Sequence, residues 1–174
     1  MQSDDGQYLS QSKERTKLIM LFRVITRKKR YFFAKIQSHF FGFEFNIGKN
    51  SHIGPRFNIR SAGNVEIDNN VNIGSNLHLE TNLFVGKGTL ISSNVSFVGN
   101  DHSKVPGESS KSRRSPQSTI YIGENCWIGF GSIIVGNRKV ASDVIIGAGS
   151  VVVSDIQDSG TYAGVPARKI NKNN

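Results

Sequence analysis

Large apolar residues recur at every sixth position through most of this chain, and this spacing limits its fold more than any other feature. The residues at this spacing form two runs: Ile67, Ile73, Leu79, Val85, Ile91, Phe97, and then Ile122, Ile128, Ile134, Val140, Ile146, Val152. An α-helix would repeat every 3.6 residues and an exposed strand every two. A step of six is typical of a short strand followed by a turn, repeated as a solenoid.

A second inward-facing position accompanies the first. The fourth residue after each apolar position is mostly apolar or small, as at Val71, Leu77, Leu83, Thr89, Val95, Cys126, Ser132, Val144 and Ser150. We therefore expect two of every six side chains to point inward. One repeat buries too little surface to fold alone, so the stacking of successive repeats must supply the core. The fold class predicted is a mainly β solenoid.

The six-residue step is broken once by a long polar segment and once by a short one. Residues 100–119 are rich in Ser, Lys and Arg and contain two prolines. This composition predicts a loop that leaves the solenoid, and such loops often carry function. Ile67 follows Ile59 by eight residues instead of six, which predicts a bulge between them.

The first part of the chain has a helical pattern. Its apolar residues fall near one stripe, at Leu18, Phe22, Ile25, Phe32, Ile36 and Phe40, with many Lys and Arg around them. One interpretation is a basic amphipathic helix lying on an anionic membrane. The other, which we favour, is a helix packed on the solenoid or on a neighbouring subunit. We divide the chain into a tail and basic helix (1–44), the solenoid (45–156) and a closing segment (157–174).

The net charge and the cysteine content indicate which kinds of partner the chain binds and in which cellular compartment it lies. The net charge of +9 favours anionic partners. The single cysteine excludes an intramolecular disulfide and is typical of a reducing compartment. The longest apolar run, Leu18 to Phe22, is too short to cross a bilayer. We expect a cytoplasmic protein, with the basic helix able to contact the inner face of the membrane.

Three repeat units and the tail resemble a known family, the hexapeptide-repeat acyltransferases. The units are 73–78, 122–127 and 146–151, and the tail 162–170 resembles the closing segment of the maltose, galactoside and polysaccharide O-acetyltransferases. The resemblance covers about residues 45–170 and implies a left-handed parallel β-helix with three repeats per coil. It also implies acetyl-CoA as co-substrate and a homotrimer with active sites between subunits.

His102 is the candidate catalytic base. The six-residue register places it outward, where the loop leaves the coil, and the family has its catalytic histidine at this place. Histidine suits the removal of a hydroxyl proton because its pKa lies near neutral pH. Asp101 would orient the imidazole, as a carboxylate does in other histidine-based sites. The alternative for Asp101 is an ordinary turn residue that bonds the backbone.

The resemblance also implies a cofactor tract along the last coils. Its residues are Trp127, Gly129, Phe130, Gly131, Ser132, Gly147, Ala148, Gly149 and Ser150, with Arg168 and Lys169 facing the phosphates of CoA. The chain departs from the family at Val153-Ser154 and at Gly136-Asn137. Arg138 occupies an inward position where a small residue is expected, and the sequence does not explain it.

The acceptor side is predicted more weakly, at His78, Glu80, Asn82 and Trp127. An exposed indole offers a flat face for a sugar ring or for CoA, although Trp127 could instead pack against a neighbouring subunit. Cys126 falls at an inward position and is interpreted as part of the core. No metal is expected, because the histidines lack metal-ligand spacing.

These features favour an acetyl-CoA-dependent O-acetyltransferase acting on a saccharide, such as a capsular or lipopolysaccharide sugar or its precursor. The basic loop residues Lys104, Lys111, Arg113 and Arg114 indicate an acidic acceptor, although attraction to CoA would explain the same charge. One alternative is N-acetylation of an amino or nucleotide sugar. A non-enzymatic alternative is an assembly scaffold. Nucleic-acid binding is disfavoured, since the basic residues lack interleaved aromatic residues outside the helix.

Overall fold

The computed structural model describes residues 44–59, 63–99 and 118–170 of the chain. It also describes single positions in the N-terminal part: Thr16, Lys17, Leu21, Ile25, Thr26, Lys28, Lys29, Tyr31, Phe32, Phe33, Lys35, Ile36, His39 and Gly42.

Short parallel strands form the three faces of a β-helix. Sheet A contains β1 (Glu44–Ile47), β4 (Asn64–Ile67), β7 (Asn82–Val85), β10 (Thr119–Ile122) and β13 (Arg138–Val140). Sheet B contains β2 (His52–Ile53), β5 (Asn72–Ile73), β8 (Leu90–Ile91), β11 (Trp127–Ile128), β14 (Val144–Ile146), β16 (Gly160–Ala163) and β17 (Arg168–Lys169). Sheet C contains β3 (Asn58–Ile59), β6 (His78–Leu79), β9 (Ser96–Val98), β12 (Ile133–Val135) and β15 (Val151–Val152). Each coil visits sheets A, B and C in turn, which confirms the predicted parallel β solenoid, and the structure shows about five turns.

The register records where the repeat is interrupted. Val65 lies opposite Leu83, eighteen positions later, which is three hexapeptides. Phe45 lies opposite Val65, twenty positions later, so two extra residues enter before the second coil, as predicted. Leu83 lies opposite Ile120, thirty-seven positions later, so nineteen extra residues enter before the fourth coil.

The predicted loop limit of residue 119 was slightly too late. Thr119 already lies in β10, and Ser118 is buried beneath it. The backbone of Ser118 is needed by the ladder, because its carbonyl accepts a hydrogen bond from the Asn82 amide at 3.0 Å. The coil therefore resumes at Ser118.

The core is a column of the predicted inward residues. From the second coil on, every residue of the six-residue series is buried, and Phe97, Ile91, Ile128 and Ile134 have no exposed surface. The second inward position is filled by smaller buried residues such as Thr89, Ser132 and Ser150. Burial of a Leu, Ile or Phe side chain contributes roughly 1.5–3 kcal/mol, so the stacked columns stabilise the coils collectively.

The described residues between 16 and 39 are helical, and they contact the first coil through aromatic rings. The Tyr31 and Phe45 centroids lie 6.3 Å apart, and those of Phe33 and Phe57 lie 6.4 Å apart. These ring contacts involve Tyr31 and Phe33, which lie outside the predicted stripe, and both rings remain largely exposed, as do Ile25 and Phe32 of that stripe. Among the described residues, no helix is long and apolar enough to cross a membrane.

The closing segment extends sheet B. Strand β16 pairs in parallel with β14, and β17 returns antiparallel to β16. Ile156 is buried and bridges Val140 above the last strand of sheet A. The segment thus covers the upper end of the core.

Candidate active site

The two ends of the predicted catalytic loop meet at the corner between sheets C and A. A Cβ on Gly99 would lie 2.7 Å from the Ser118 hydroxyl and 2.7 Å from the Glu80 carbonyl, so these three residues are in direct contact. Asp101, His102 and the basic residues Lys104, Lys111, Arg113 and Arg114 lie outside the described residues. Their attachment point on the coil is nevertheless defined by Gly99 and Ser118.

A histidine–carboxylate pair lies beside this loop mouth. His78 Nε2 and Glu80 Oε1 are 2.9 Å apart, and both side chains are about one-third exposed or less. Glu80 donates its backbone amide to the Phe97 carbonyl at 2.9 Å, which fixes it under the last strand before the loop. The structure therefore brings two predicted acceptor residues together at the place where the loop departs.

Asn82, the third predicted acceptor residue, has its side chain engaged in the fold. Its Oδ1 accepts from the Asn64 amide at 2.7 Å, and its Nδ2 donates to the Thr119 hydroxyl at 3.1 Å. The side chain thus links the coils before and after it at the C–A corner. With both ends of the amide engaged in the fold, Asn82 is not part of the proposed acceptor site.

The corner between sheets B and C carries side chains in the lower coils and glycines in the upper coils. In the first three coils Arg56, Asn76 and Asn94 hold φ near +60°, and their side chains bond one another in a ladder. In the next two coils the stacked positions are Gly131 and Gly149, with φ of +69° and +68°. A Cβ at either glycine would meet nothing within 4 Å. The ladder therefore ends, and the outer surface of this corner is bare.

Backbone groups line the bare corner, while the nearby serines serve the fold. Gly149 donates its amide to the Phe130 carbonyl at 2.8 Å, so the two turns stack directly. Ser132 and Ser150 are fully buried, and the Ser132 hydroxyl donates to the Gly147 carbonyl at 3.0 Å. Gly129 is required for this close stacking, because a Cβ there would lie 2.6 Å from the Ala148 nitrogen. Among the tract residues from 129 to 150, the exposed ones are thus Phe130, Ala148 and Gly149.

Trp127 borders the bare corner on the outer face of sheet B. The predicted outward orientation is correct, since half of the residue surface is exposed. The register places it between Leu90 and Ile145, both also exposed, so the three form an apolar row. The indole Nε1 donates to the Ser92 hydroxyl at 3.3 Å, a contact that sequence reasoning missed because the two residues lie in different coils.

The predicted phosphate-binding residues lie in the closing strand. Arg168 and Lys169 are exposed on β17, the outermost strand of sheet B. Lys169 Nζ lies 5.9 Å above the Tyr162 ring, and the Arg168 guanidinium donates to the Ala167 carbonyl. Both cations are thus available above the upper coil.

Arg138 is half-buried above Ile120, at the open end of sheet A. The inward orientation predicted for it is correct. Its Nε has no hydrogen-bond partner among the described residues, although its guanidinium also donates to the Asn137 carbonyl. β13 is the last strand of sheet A, and the chain segment with Asp155 and Ile156 lies above it.

Cys126 belongs to the core, as predicted. It is 2% exposed, and burial raises the pKa of its thiol above the ordinary value. A raised pKa disfavours the thiolate, which is the nucleophilic form. The described part of the chain contains no group of three or more His, Cys, Asp or Glu that could hold a metal ion.

Sheet C separates the loop mouth from the bare corner. Its strand β9 runs from Ser96 to Val98, between Asn94 at one corner and Gly99 at the other. At about 3.3 Å per residue, the five steps from Asn94 to Gly99 span roughly 16 Å. The loop mouth and the candidate cofactor tract of one chain therefore lie at opposite edges of the same sheet.

Comparisons with known proteins bear on the repeat and on the fold. Residues 119–154 match the family model described as bacterial transferase hexapeptide (six repeats). This stretch of the chain carries the repeat that the family model describes. The matched stretch of this hexapeptide-repeat protein includes the bare corner, Trp127 and Arg138.

Curated relatives of this hexapeptide-repeat protein include sugar O-acetyltransferases. A galactoside O-acetyltransferase of Lactococcus lactis is 34% identical over 91 residues, covering 51% of this chain and 44% of the relative. A putative lipopolysaccharide biosynthesis O-acetyl transferase of Escherichia coli is 32% identical over 98 residues, covering 52% and 50%. The chain thus matches about half the length of these relatives.

A solved structure supports the fold. A hexapeptide-repeat-containing acetyltransferase from Vibrio cholerae, in complex with acetyl-coenzyme A, superposes with a TM-score of 0.59. It is 22% identical, and the match covers 83% of this chain and 76% of the other.

Proposed function

We propose that this protein transfers the acetyl group of acetyl-CoA to a hydroxyl group of a saccharide. The observation that carries the proposal is the end of the side-chain ladder at Gly131 and Gly149. The corner is bare only in the two upper coils, next to Trp127 and below Arg168 and Lys169. An extended pantetheine arm fits such a surface, since it can bond the exposed backbone while the cations meet the phosphates.

His102 acts as the general base. Its imidazole accepts the proton of the sugar hydroxyl while the hydroxyl oxygen attacks the thioester carbonyl carbon. The carbon–sulfur bond then breaks, and the imidazolium returns the proton to the departing sulfur. The products are an acetyl ester and CoA with a free thiol. Asp101 holds the imidazole in place and stabilises its positive charge.

The site is formed between two copies of the chain. Within one copy the loop mouth that precedes His102 and the edge that carries the cofactor tract lie on opposite sides of sheet C, at most roughly 16 Å apart along one strand. A trimer with the sheet C faces turned towards its axis brings the loop corner of one subunit against the bare corner of the next. The outer face of sheet C suits such contact, because its upper part carries the partly exposed Ile133, Val135 and Val151.

His78 and Glu80 bind the acceptor beside the loop mouth. Carboxylate oxygens accept hydrogen bonds from sugar hydroxyls, and such charge-assisted bonds are about twice as strong as neutral ones. Relatives with galactoside and lipopolysaccharide in their names favour a cell-surface saccharide or its precursor. The basic loop residues favour an acidic one.

A thiol-release assay tests this function. Acetyl-CoA is mixed with a panel of neutral, acidic and amino saccharides, and the modified product is identified by mass spectrometry. We expect ester formation that falls about 10²- to 10⁴-fold in the His102→Ala variant. His52→Ala is the matched control, because His52 is an outward histidine at the same repeat position in the first coil.

Other outcomes decide between the alternatives. Full turnover by the His102→Ala variant would refute the assignment of the base. An amide product would identify an N-acetyltransferase. The absence of both CoA binding and CoA release would leave the scaffold interpretation.

A further inference from the structure

The outer face of sheet A carries a row of side chains that the proposed acetyl transfer does not use. The register aligns five outward residues on successive strands, in the order Asn46, Glu66, Phe84, Tyr121 and Lys139. We call this set the sheet A row. At its centre the Phe84 and Tyr121 rings are stacked, with centroids 4.9 Å apart and planes 15° apart. Tyr121 is 44% exposed, and the Lys139 ammonium lies 5.8 Å from its ring centroid, so the exposed part of the stack combines an aromatic ring with a neighbouring cation.

An open groove follows the sheet A row. Its lower part has a volume of about 710 Å³ and is lined by Asn46, Glu66, Asp68, Phe84 and, from the helix, Tyr31. Its upper part has a volume of about 770 Å³ and includes Tyr121 and Lys139. The two parts adjoin at Ile122. Neither part includes a residue of the loop mouth or of the bare B–C corner.

The chemistry of the groove matches a sugar better than other ligands of this size. Aromatic faces carry negative charge density and attract the weakly positive C–H groups of a sugar ring. Carboxylate and amide oxygens beside them accept hydrogen bonds from hydroxyl groups. A binding site typically combines such an apolar surface with a few polar groups that fix orientation.

The carboxylates also select among sugars. Glu66 and Asp68 line the lower part of the groove, and the cation of Lys139 in the upper part is accompanied by a third carboxylate, Asp155, so that two carboxylates are in excess. Two carboxylates repel a uronic acid and a phosphate backbone, but they accept neutral hydroxyls and attract an ammonium group. The selectivity of this groove is therefore opposite to that of the basic loop.

We propose that the sheet A row is a second, non-catalytic saccharide-binding site, specific for neutral or amino-sugar oligosaccharides. The stacked Phe84 and Tyr121 form its platform, and Glu66 accepts hydroxyl or ammonium hydrogen bonds. The site would hold a part of a long acceptor that is not being acetylated. Binding itself needs no acetyl transfer, so it is tested without acetyl-CoA.

The experiment measures binding of the full chain to an array of immobilised oligosaccharides of neutral, amino-sugar and uronic-acid type. The wild type should bind neutral or amino-sugar members and leave uronic-acid members unbound. Tyr121→Ala should weaken this binding about 2- to 10-fold, since it removes half of the platform. Tyr121→Phe should bind like the wild type, because it keeps the ring.

Glu66→Gln provides a second variant that does not alter packing, with Glu124→Gln as its matched control at an exposed corner position. We expect weaker binding, by about tenfold, for Glu66→Gln alone. Absence of binding by the wild type, preference for uronic acids, or unchanged binding by both Tyr121→Ala and Glu66→Gln would each overturn the proposal. If the array is bound but no saccharide is acetylated, the proposed enzymatic function fails and this site stands.

Discussion

The backbone amide of Gly149 donates to the carbonyl of Phe130 at 2.8 Å, so that two glycine-containing turns stack at the same corner of successive coils. The stacked positions below them carry Asn94, Asn76 and Arg56, whose side chains cover the corner. The change from side chain to glycine creates the bare surface on which the proposed cofactor tract depends.

Filling this corner should weaken CoA binding without unfolding the protein. Gly131→Asn and Gly149→Asn introduce a residue that tolerates positive φ, as Asn76 and Asn94 do in the coils below. We expect the dissociation constant for CoA, measured by calorimetry, to rise at least about tenfold, which corresponds to 1.4 kcal/mol.

Gly42→Asn is the control for these glycine variants. Gly42 has φ of +68° and open space around its Cβ position, but it lies before the first coil. An unchanged dissociation constant in both corner variants would contradict the cofactor tract.

Mutation of the His78–Glu80 pair should weaken binding of the acceptor and leave binding of acetyl-CoA unchanged. Glu80→Gln keeps the size of the side chain but removes the charge-assisted hydrogen bond, which is worth about 1.5–3 kcal/mol. We expect KM for the saccharide to rise about tenfold or more, with KM for acetyl-CoA unchanged. Steady-state kinetics with each substrate varied in turn would measure this. An equal rise in both KM values would indicate a structural role for the pair instead.

Truncation of Phe97 should destabilise the coils strongly. The ring has no exposed surface, lies in the last strand before the loop, and is packed between Leu79 and Ile134 on the neighbouring strands. Phe97→Ala should lower the free energy of unfolding by about 3–5 kcal/mol in urea titrations. Leu90→Ala, at an exposed position, should change it by about 0.5 kcal/mol or less. Similar losses in the two variants would contradict the assignment of the core.

The Cys126 thiol should cause the free energy of unfolding to decline at alkaline pH. Burial is the largest cause of its raised pKa, so the folded state favours the neutral thiol. The unfolded thiol titrates near 8.5, and the folded thiol titrates higher. Its contribution to stability is therefore fully present below about pH 8.5 and declines as pH rises above it. Comparing urea unfolding of the wild type and Cys126→Ala between neutral and alkaline pH should show a steeper decline in the wild type.

Thiol alkylation gives an independent check on Cys126. A maleimide should react slowly with the native protein and rapidly in urea, because the buried thiol becomes accessible only on unfolding. Rapid modification of the native protein would show that Cys126 is accessible, and would contradict the statement that burial raises the pKa of its thiol.

The sequence predicted the inward residues well because that property is local. In a strand the side chains alternate between the two faces, and a turn of fixed length resets the alternation every six residues. Ile73, Thr89 and Ser150 could therefore be assigned to the core from spacing alone, and Trp127 to the outside. The same count located the two interruptions, since each inserts residues without disturbing the repeat after it.

The relations between coils could not be obtained from spacing alone. Phe84 and Tyr121 stack although thirty-seven positions separate them, because β10 takes the place in the register next to β7 despite the nineteen extra residues between them. The same alignment produces the hydrogen bonds that join Asn82 to Asn64 and Thr119. It also produces the hydrogen bond between Trp127 and Ser92. The sequence by itself determined the repeat and the core, because these follow from the order of residues within one coil. Only the tertiary structure decided which side chains of different coils meet, because contacts across the ladder depend on how each insertion is accommodated.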